Sequence, residues 1–460
     1  MSTSLLKKLT LLALLSGVAF AQEDDADVPA KFRNLINKET YFQLRGDHLN
    51  LLRGLPADPS LRQAAIQQMQ GQQGQGNSSL SSFLPVTNPW TAIGPSPIPN
   101  GQVTGGLAVS GRATSFVIDP TNTNKIYMGT AQGGVYRSTN GGTNWTQIFD
   151  GANSSAIGAL ALAPSNTSIL FVGTGEANYS GDSYAGVGVY RIDNCDTVAT
   201  LVGPINPIRN YTSGTNTPIS NPAFNGRSIS SILVHPTNPS IVYVGVASGI
   251  IGSGGDLPLG GTIPPLGMRG LYRLTSATSA PASVVVQKVA VCTAASGFDL
   301  PNTCNRNIDS MVYDPGDPNI LTVWVNGTTA AGDGGIYRST NAQAATPTFT
   351  QVVTTATTSA RGILVIYKEG ANPAVLYAAT GESTNGRIRR SVDAGATWSG
   401  ALAGGGGFCG GQCFYNIGID VLPGATIATT DDIVVLGGNT PGASTLLFGK
   451  STNGAAKTRG

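Results

Sequence analysis

The chain has 460 residues, 61 of them glycine and 27 proline; only 11% are charged, and 27 Lys and Arg against 25 Asp and Glu leave a formal net charge of +2. So little charge with so much glycine fits many short strands joined by turns, not a disordered chain, and the near-neutral balance gives no reason to expect a nucleic-acid partner. After the N-terminus no apolar run is long enough to cross a membrane as a helix.

Lys7 and Lys8 precede an apolar run from Leu9 to Phe20, and Ala19-Phe20-Ala21 places small residues around a cleavage point before Gln22. Residues 1–21 therefore read as a signal peptide cleaved after Ala21, which puts the mature chain outside the cell, in the periplasm or in the cell envelope. In 22–70, Phe32, Leu35, Ile36, Tyr41, Phe42, Leu44, Leu49, Leu51 and Leu52 fall at intervals that fit amphipathic helices, and Asp58-Pro59-Ser60 starts a further one. Residues 71–88, opening GQQGQGNSSLSS, read as a flexible linker.

From 89 to 460 one unit recurs. An apolar strand ends near a proline (ATSFVIDP at 113, IGALALAP at 157, SSILVHP at 230, DSMVYDP at 309, GILVIYKEG at 362, NIGIDVLPG at 416). A second strand follows (KIYMGT, ILFVGTGE, IVYVGV, ILTVWV, VLYAATGE, IVVLGG), then Gly-apolar-Tyr-Arg, ending at Arg137, Arg191, Arg273 and Arg338, with variants at 387–390 and 447–450. Strands this short and β-branched, separated by turns and recurring at uneven intervals that insertions lengthen, predict a mainly β chain: a β-propeller of six recognisable four-stranded blades. The stretches 195–225 and 249–268 read as insertions on blade-connecting loops. At Ser451-Thr452-Asn453-Gly454 the last unit opens a turn whose Trp and closing strand do not follow, so the final blade is expected to be incomplete.

Ser391, Asp393, Gly395 and Trp398, and with Asn for Asp the set Ser138, Asn140, Gly142 and Trp145, form a Ser-x-Asp-x-Gly-x-x-Trp pattern. It resembles the Asp-box (BNR) turn of sialidases, xyloglucanase-like glycoside hydrolases and sortilin/VPS10 propellers. The resemblance implies a structural hairpin at a blade's edge, remote from any catalytic centre. With GTGEANYSGDSYAGVGVYR (173–191) and GQCFYNIGIDVLPG (411–424), it extends to secreted bacterial BNR-repeat proteins of glycosyl hydrolase-like or sortilin-like type.

A glycosidase of this kind needs two carboxylates, roughly 5 to 9.5 Å apart. Where the xyloglucanase pattern has an Asp ahead of Gly-Gly-x-Tyr-Arg, this chain has Ala131 and Gln132; Asp333 is one residue out of step, and the sialidase Arg-Ile-Pro and late Tyr/Glu pair do not occur. Glu176 with Asp182, and Glu382 in the matching Gly-Glu, complete the acidic candidates, as a sugar-facing pair or as oxygen ligands for Ca2+. Arg112, Arg227, Arg306 and Arg361 head the first strands of four blades, where they would face the channel mouth and hold an anionic ligand; the alternative is that they bond backbone carbonyls. Trp324 and Tyr179 are either sugar-stacking rings or core. No zinc, phosphate-loop or Ser-His-Asp pattern occurs, and no metal or other cofactor is expected.

Cys292 with Cys304 and Cys409 with Cys413 could close two short disulfide loops, leaving Cys195 unpaired. The leading expectation is an exported, non-catalytic module binding a polysaccharide or a cell-surface protein. A sialidase- or xyloglucanase-like hydrolase and a protein-binding assembly propeller of the envelope are the alternatives.

Overall fold

The structure is a computed structural model, and it describes residues 97–99, 108–177, 183–212, 218–248, 267–291, 305–326, 334–355, 361–382, 386–402, 406–409, 417–424, 432–439, 446–451 and 458–459. The expected signal peptide, helical segment and linker fall outside them, as do Tyr179, Asp182, Asp333, Cys292, Cys304 and Cys413.

The described chain is mainly β, with one short 3-10 turn, Pro281–Ser283. The first sheet comprises β1 (Ala113–Ile118), β2 (Ile126–Thr130), β3 (Val135–Ser138) and β4 (Thr146–Gln147); the second comprises β5 (Ile157–Ala163), β6 (Asn166–Thr174), β7 (Val189–Asp193) and β8 (Thr200–Ile205). A hairpin, β9 (Ile208–Thr212) and β10 (Pro218–Pro222), separates it from the third sheet, β11 (Arg227–Val234), β12 (Val242–Ser248), β13 (Gly270–Thr275) and β14 (Val285–Val289). The fourth holds β15 (Ile308–Asp314), β16 (Asp317–Val325), β17 (Gly334–Ser339) and β18 (Thr350–Thr355); the fifth, β19 (Gly362–Tyr367), β20 (Val375–Thr380) and β21 (Arg387–Ser391). The last holds β22 (Gly418–Leu422), β23 (Ile433–Asn439), β24 (Leu446–Ser451) and β25 (Thr458–Arg459), so a short fourth strand pairs with β24 where the sequence led to the expectation that the closing strand is missing.

Every sheet is an antiparallel meander in chain order, and the first strands pack serially, β1 on β5, β5 on β11, then β15, β19 and β22. The cores lie between neighbouring sheets: Tyr127, Val135 and Leu160 between the first and second, Phe171 and Ile232 between the second and third, Tyr243 and Met311 between the third and fourth. One expectation is corrected here. The stretch 195–225 is not a loop insertion, because it supplies β8 as the fourth strand of its sheet and then the separate hairpin.

The arginine of Gly-x-Tyr-Arg fastens each sheet to the next. Arg137 Nη1 donates to the carbonyls of Cys195 (3.0 Å) and Thr197 (2.5 Å), and Arg191 Nη1 to those of Ala277 and Ser279, both at 2.9 Å. Arg273 reaches the Ala344 and Ala345 carbonyls, and Arg338 Nε that of Ala394. All these acceptors lie in the turn between the third and fourth strands of the following sheet, or, for the fifth sheet, just after its third strand. A tyrosine in register on the second strand often joins in: Tyr127 accepts from the Cys195 thiol, and Tyr243 donates to the Ala342 carbonyl.

Three of those turns contain a left-handed residue, and the described non-glycine residues with positive φ are all found there: Asn194 (52°), Ser276 (57°) and Ala394 (57°). In the first sheet Gly141 does the same at 67°, which costs a glycine nothing in sterics. Ser138 Oγ accepts the Gly142 amide, and Asn140 Oδ1 accepts the Ser138 hydroxyl and the Asn144 amide. Ser391, Asp393, Gly395 and Thr397 repeat this pattern bond for bond. A third copy at Ser339 and Asn341 stretches the loop so that the bonded amide is that of Thr348, a spacing the sequence pattern does not match.

Trp398 is half-buried against the cluster of Ala374, Leu376 and Ala394 and donates Nε1–H to the Gly395 carbonyl at 3.1 Å, whereas Trp145 is 36% exposed. Trp398→Ala is therefore expected to cost about 2 to 3 kcal/mol, short of a fully buried tryptophan, and Trp145→Ala about 1 kcal/mol. Urea denaturation of the two variants checks the order.

The turn after the first strand carries a different acceptor. Asp119, His235 and Asp314 each precede a proline, are buried, and accept the amide two residues on. Burial holds the His235 pKa below the ordinary value, so the folded protein keeps the ring neutral while the unfolded chain protonates it near pH 6.5. Stability is then fully present above that pH and declines as pH falls towards the folded pKa. His235→Asp should abolish this decline between pH 7 and 5 in denaturation measured at each pH, since an aspartate makes the same bond in two other sheets.

Candidate functional site

The first three sheets converge on Glu176, which lies two residues beyond the end of β6. Its carboxylate has no exposed surface and takes a two-pronged grip from Arg112 at the head of β1, with Nε to Oε1 at 2.6 Å and Nη2 to Oε2 at 2.7 Å. Its amide donates to the Tyr184 carbonyl, and its own carbonyl accepts the Ser228 hydroxyl of β11 at 3.0 Å. One residue thus ties three sheets together. Gly175, at φ 88°, makes the approach possible, because a Cβ there would lie 2.6 Å from the Gly186 nitrogen and 2.8 Å from the Arg227 carbonyl oxygen. The charge-assisted, bidentate geometry is the strong form of such a pair.

Glu382, the matching residue of the fifth sheet, is buried and held within its own sheet. Arg389 Nη2 donates to Oε2 at 2.8 Å and the Thr380 hydroxyl to Oε1 at 3.1 Å. Both acidic candidates among the described residues are therefore bound by arginine. Among the described residues no group of three or more His, Cys, Asp or Glu side chains could hold a metal ion.

The four strand-head arginines fall into two registers. The amide two residues past the mid-strand Gly129 of the first sheet, Ala131, bonds the Arg112 carbonyl, and in the fifth sheet Gly381 bonds that of Arg361. In the fourth sheet the corresponding amide, Asn326, bonds Asn307, one residue after Arg306. In the third, Ala247 pairs with Ser228, one residue after Arg227. A single-residue step sends a side chain to the other face of a strand. Arg227 and Arg306 are accordingly buried, with Arg227 Nε on the Gly267 carbonyl at 2.6 Å and Arg306 Nη1 on that of Asn305, while the Arg112 side chain keeps 42% of its surface exposed and Arg361 is half-buried. The expectation that all four face one mouth does not survive this difference in register.

Trp324 is core: it has no exposed surface and Gly362 lies flat against its ring. Tyr184 is exposed, in the segment whose backbone closes over Glu176. Cys195 is a free, buried thiol whose pKa burial pushes up to about 11, and Cys409 is disulfide-bonded, its partner falling outside the described residues.

A cluster not foreseen from the sequence surrounds Asp432. This fully buried carboxylate, just ahead of β23, accepts the hydroxyls of Tyr367 (2.8 Å) and Tyr377 (2.6 Å), an Arg390 Nη2–H (3.1 Å) and the Gly424 amide. Burial and the carboxylate push the Tyr367 hydroxyl up to about 12 and raise that of Tyr377 further, so both stay protonated donors. The cluster joins the fifth and last sheets as the arginine clamps join the others. Its signal in the sequence was the aspartate directly before an apolar strand.

No family model matches the chain, and no curated protein matches it. Solved structures resemble it in chain course. An ancestral GH74 enzyme is 19% identical over 79% of this chain and 39% of its own, with a TM-score of 0.43. The Dos1 propeller is 13% identical over 78% and 73%, TM-score 0.43. PorZ, a surface component of the type-IX secretion system of Porphyromonas gingivalis, is 12% identical over 75% and 39%, TM-score 0.39. The chain spans well under half the length of the GH74 enzyme and of PorZ, and at such identity neither activity nor partner transfers.

Proposed function

We propose that the chain is an exported β-propeller, built from Asp-box blades, whose strand-head face binds a polysaccharide or cell-surface glycan without cleaving it. The observation that carries this reading is the commitment of both described acidic candidates to arginine. A hydrolase needs carboxylates that touch the substrate and exchange protons with it; Glu176 has no exposed surface and both its oxygens accept from Arg112. Among the described residues that bond Glu176, Arg112 and Tyr184 are exposed, a cation and an aromatic side chain of the kind that suits sugar binding.

A glycan array probed with the exported chain, followed by mass spectrometry of each retained glycan, tests it. Retention without cleavage is expected. Cleavage would overturn the reading and direct mutagenesis to Asp182 and Asp333; a silent array with capture of an envelope protein would favour the assembly role. Tyr184→Ala should weaken the retained glycan about tenfold, roughly 1.4 kcal/mol, with an unchanged melting temperature, because the ring is exposed.

A further inference from the structure

Among the described residues, the first sheet is covered on one side only. Tyr127 and Val135 face the second sheet and are fully buried, whereas Phe116 and Ile118, on the other face of β1, are 58% and 52% exposed. Paired in register with them, Met128, Ile126 and then Tyr136 extend the same face and are only half-buried. The equivalent residues of the next three sheets are Leu160 and Leu162, Ile232 and Val234, and Met311 and Tyr313. Each of these pairs is buried, packed with residues of the sheet before it. A sheet apolar on both faces is built to be covered on both, and contiguous exposed apolar surface marks a contact.

The last sheet is a poor cover. At the register where Val117, Ala161 and Leu233 meet a neighbouring sheet it carries Asp420, which is exposed, and burying that carboxylate against Phe116 without a cation would be costly. The chain's own residues 32–52 are a good one. They hold nine large apolar residues at helical spacing, Phe32, Tyr41, Phe42 and Leu44 among them. The chain that follows them arrives at β1: Ile98 bridges to Val109, directly ahead of Arg112. The 45 residues between position 52 and Ile98 would span roughly 35 to 40 Å as a free chain, and such a tether acts as a local concentration in the millimolar range that a second copy in dilute solution cannot match.

We propose that residues 32–52 dock their apolar side on the Phe116 and Ile118 face of the first sheet. The test places p-benzoylphenylalanine at position 116 of the full exported chain, an exposed site that tolerates it, and irradiates a mixture of isotopically light and heavy protein. Adducts to peptides from 32–52 of the same mass label are expected, and Leu44→Asp should remove them while leaving the melting temperature of the sheets in place. Light–heavy hybrid adducts would mean a second copy covers the face; adducts to another part of the chain, no adduct at all, or adducts that persist in Leu44→Asp would each overturn the proposal.

Discussion

Arg191→Ala is expected to lower the unfolding free energy by about 3 to 5 kcal/mol. The side chain is buried and joins two sheets: Nη1 serves the Ala277 and Ser279 carbonyls of the third sheet, while Nε and Nη2 pair with both oxygens of Asp193 at 2.7 and 2.9 Å. A charge-assisted bond of this kind contributes about 1.5 to 3 kcal/mol, and the two carbonyls lose their shared donor at once. Asp193 is one-third exposed, so water takes over much of its share and the ion pair itself adds little. Arg191→Lys should recover less than half of the loss, because a single ammonium cannot serve two carbonyls and a carboxylate in that geometry. Urea denaturation measures both, and amide exchange in β13 and β14 should quicken in the alanine variant. A loss under 1 kcal/mol would show that the sheets hold together by apolar packing alone.

The second large effect is an asymmetry. Arg112→Ala should destabilise by about 3 to 5 kcal/mol, because it removes the two-pronged partner of a Glu176 carboxylate that has no exposed surface. Glu176→Gln should cost less, about 1 to 2 kcal/mol, since the guanidinium left behind is 42% exposed and can hydrate. The double variant Arg112→Ala/Glu176→Gln should recover part of the alanine loss, so a double-mutant cycle reads the coupling directly. Equal costs for the two single changes would mean that the pair matters to ligand binding more than to the joint between sheets.

Much of the strand pattern was legible because it is local. Period-two alternation in segments such as IGALALAP and the recurrent Gly-x-Tyr-Arg place first, second and third strands by sequence spacing alone, and β5, β6 and β7 lie where the motifs put them. The shorter turns at Asn194 and Ser276 were not legible: a left-handed backbone there needs no glycine when the neighbouring sheet holds the turn carbonyls. The repeat itself flagged Arg137, Arg191, Arg273 and Arg338, but not what they bond, since each acceptor lies more than fifty residues away.

By itself the sequence determined a mainly β chain of repeated meanders with polar Ser-Asn and Ser-Asp turns, and it singled out Glu176, Glu382 and the strand-head arginines as candidates. Tertiary structure alone decided what those residues do. Arg112 meets Glu176 across 64 residues of chain, and Arg227 and Arg306 sit one step out of register with Arg112 and Arg361. Side-chain direction in a strand reverses with every residue, and contacts between sheets depend on how separate strands are laid side by side. Neither quantity is written in the spacing of a motif; both follow only once the sheets are packed.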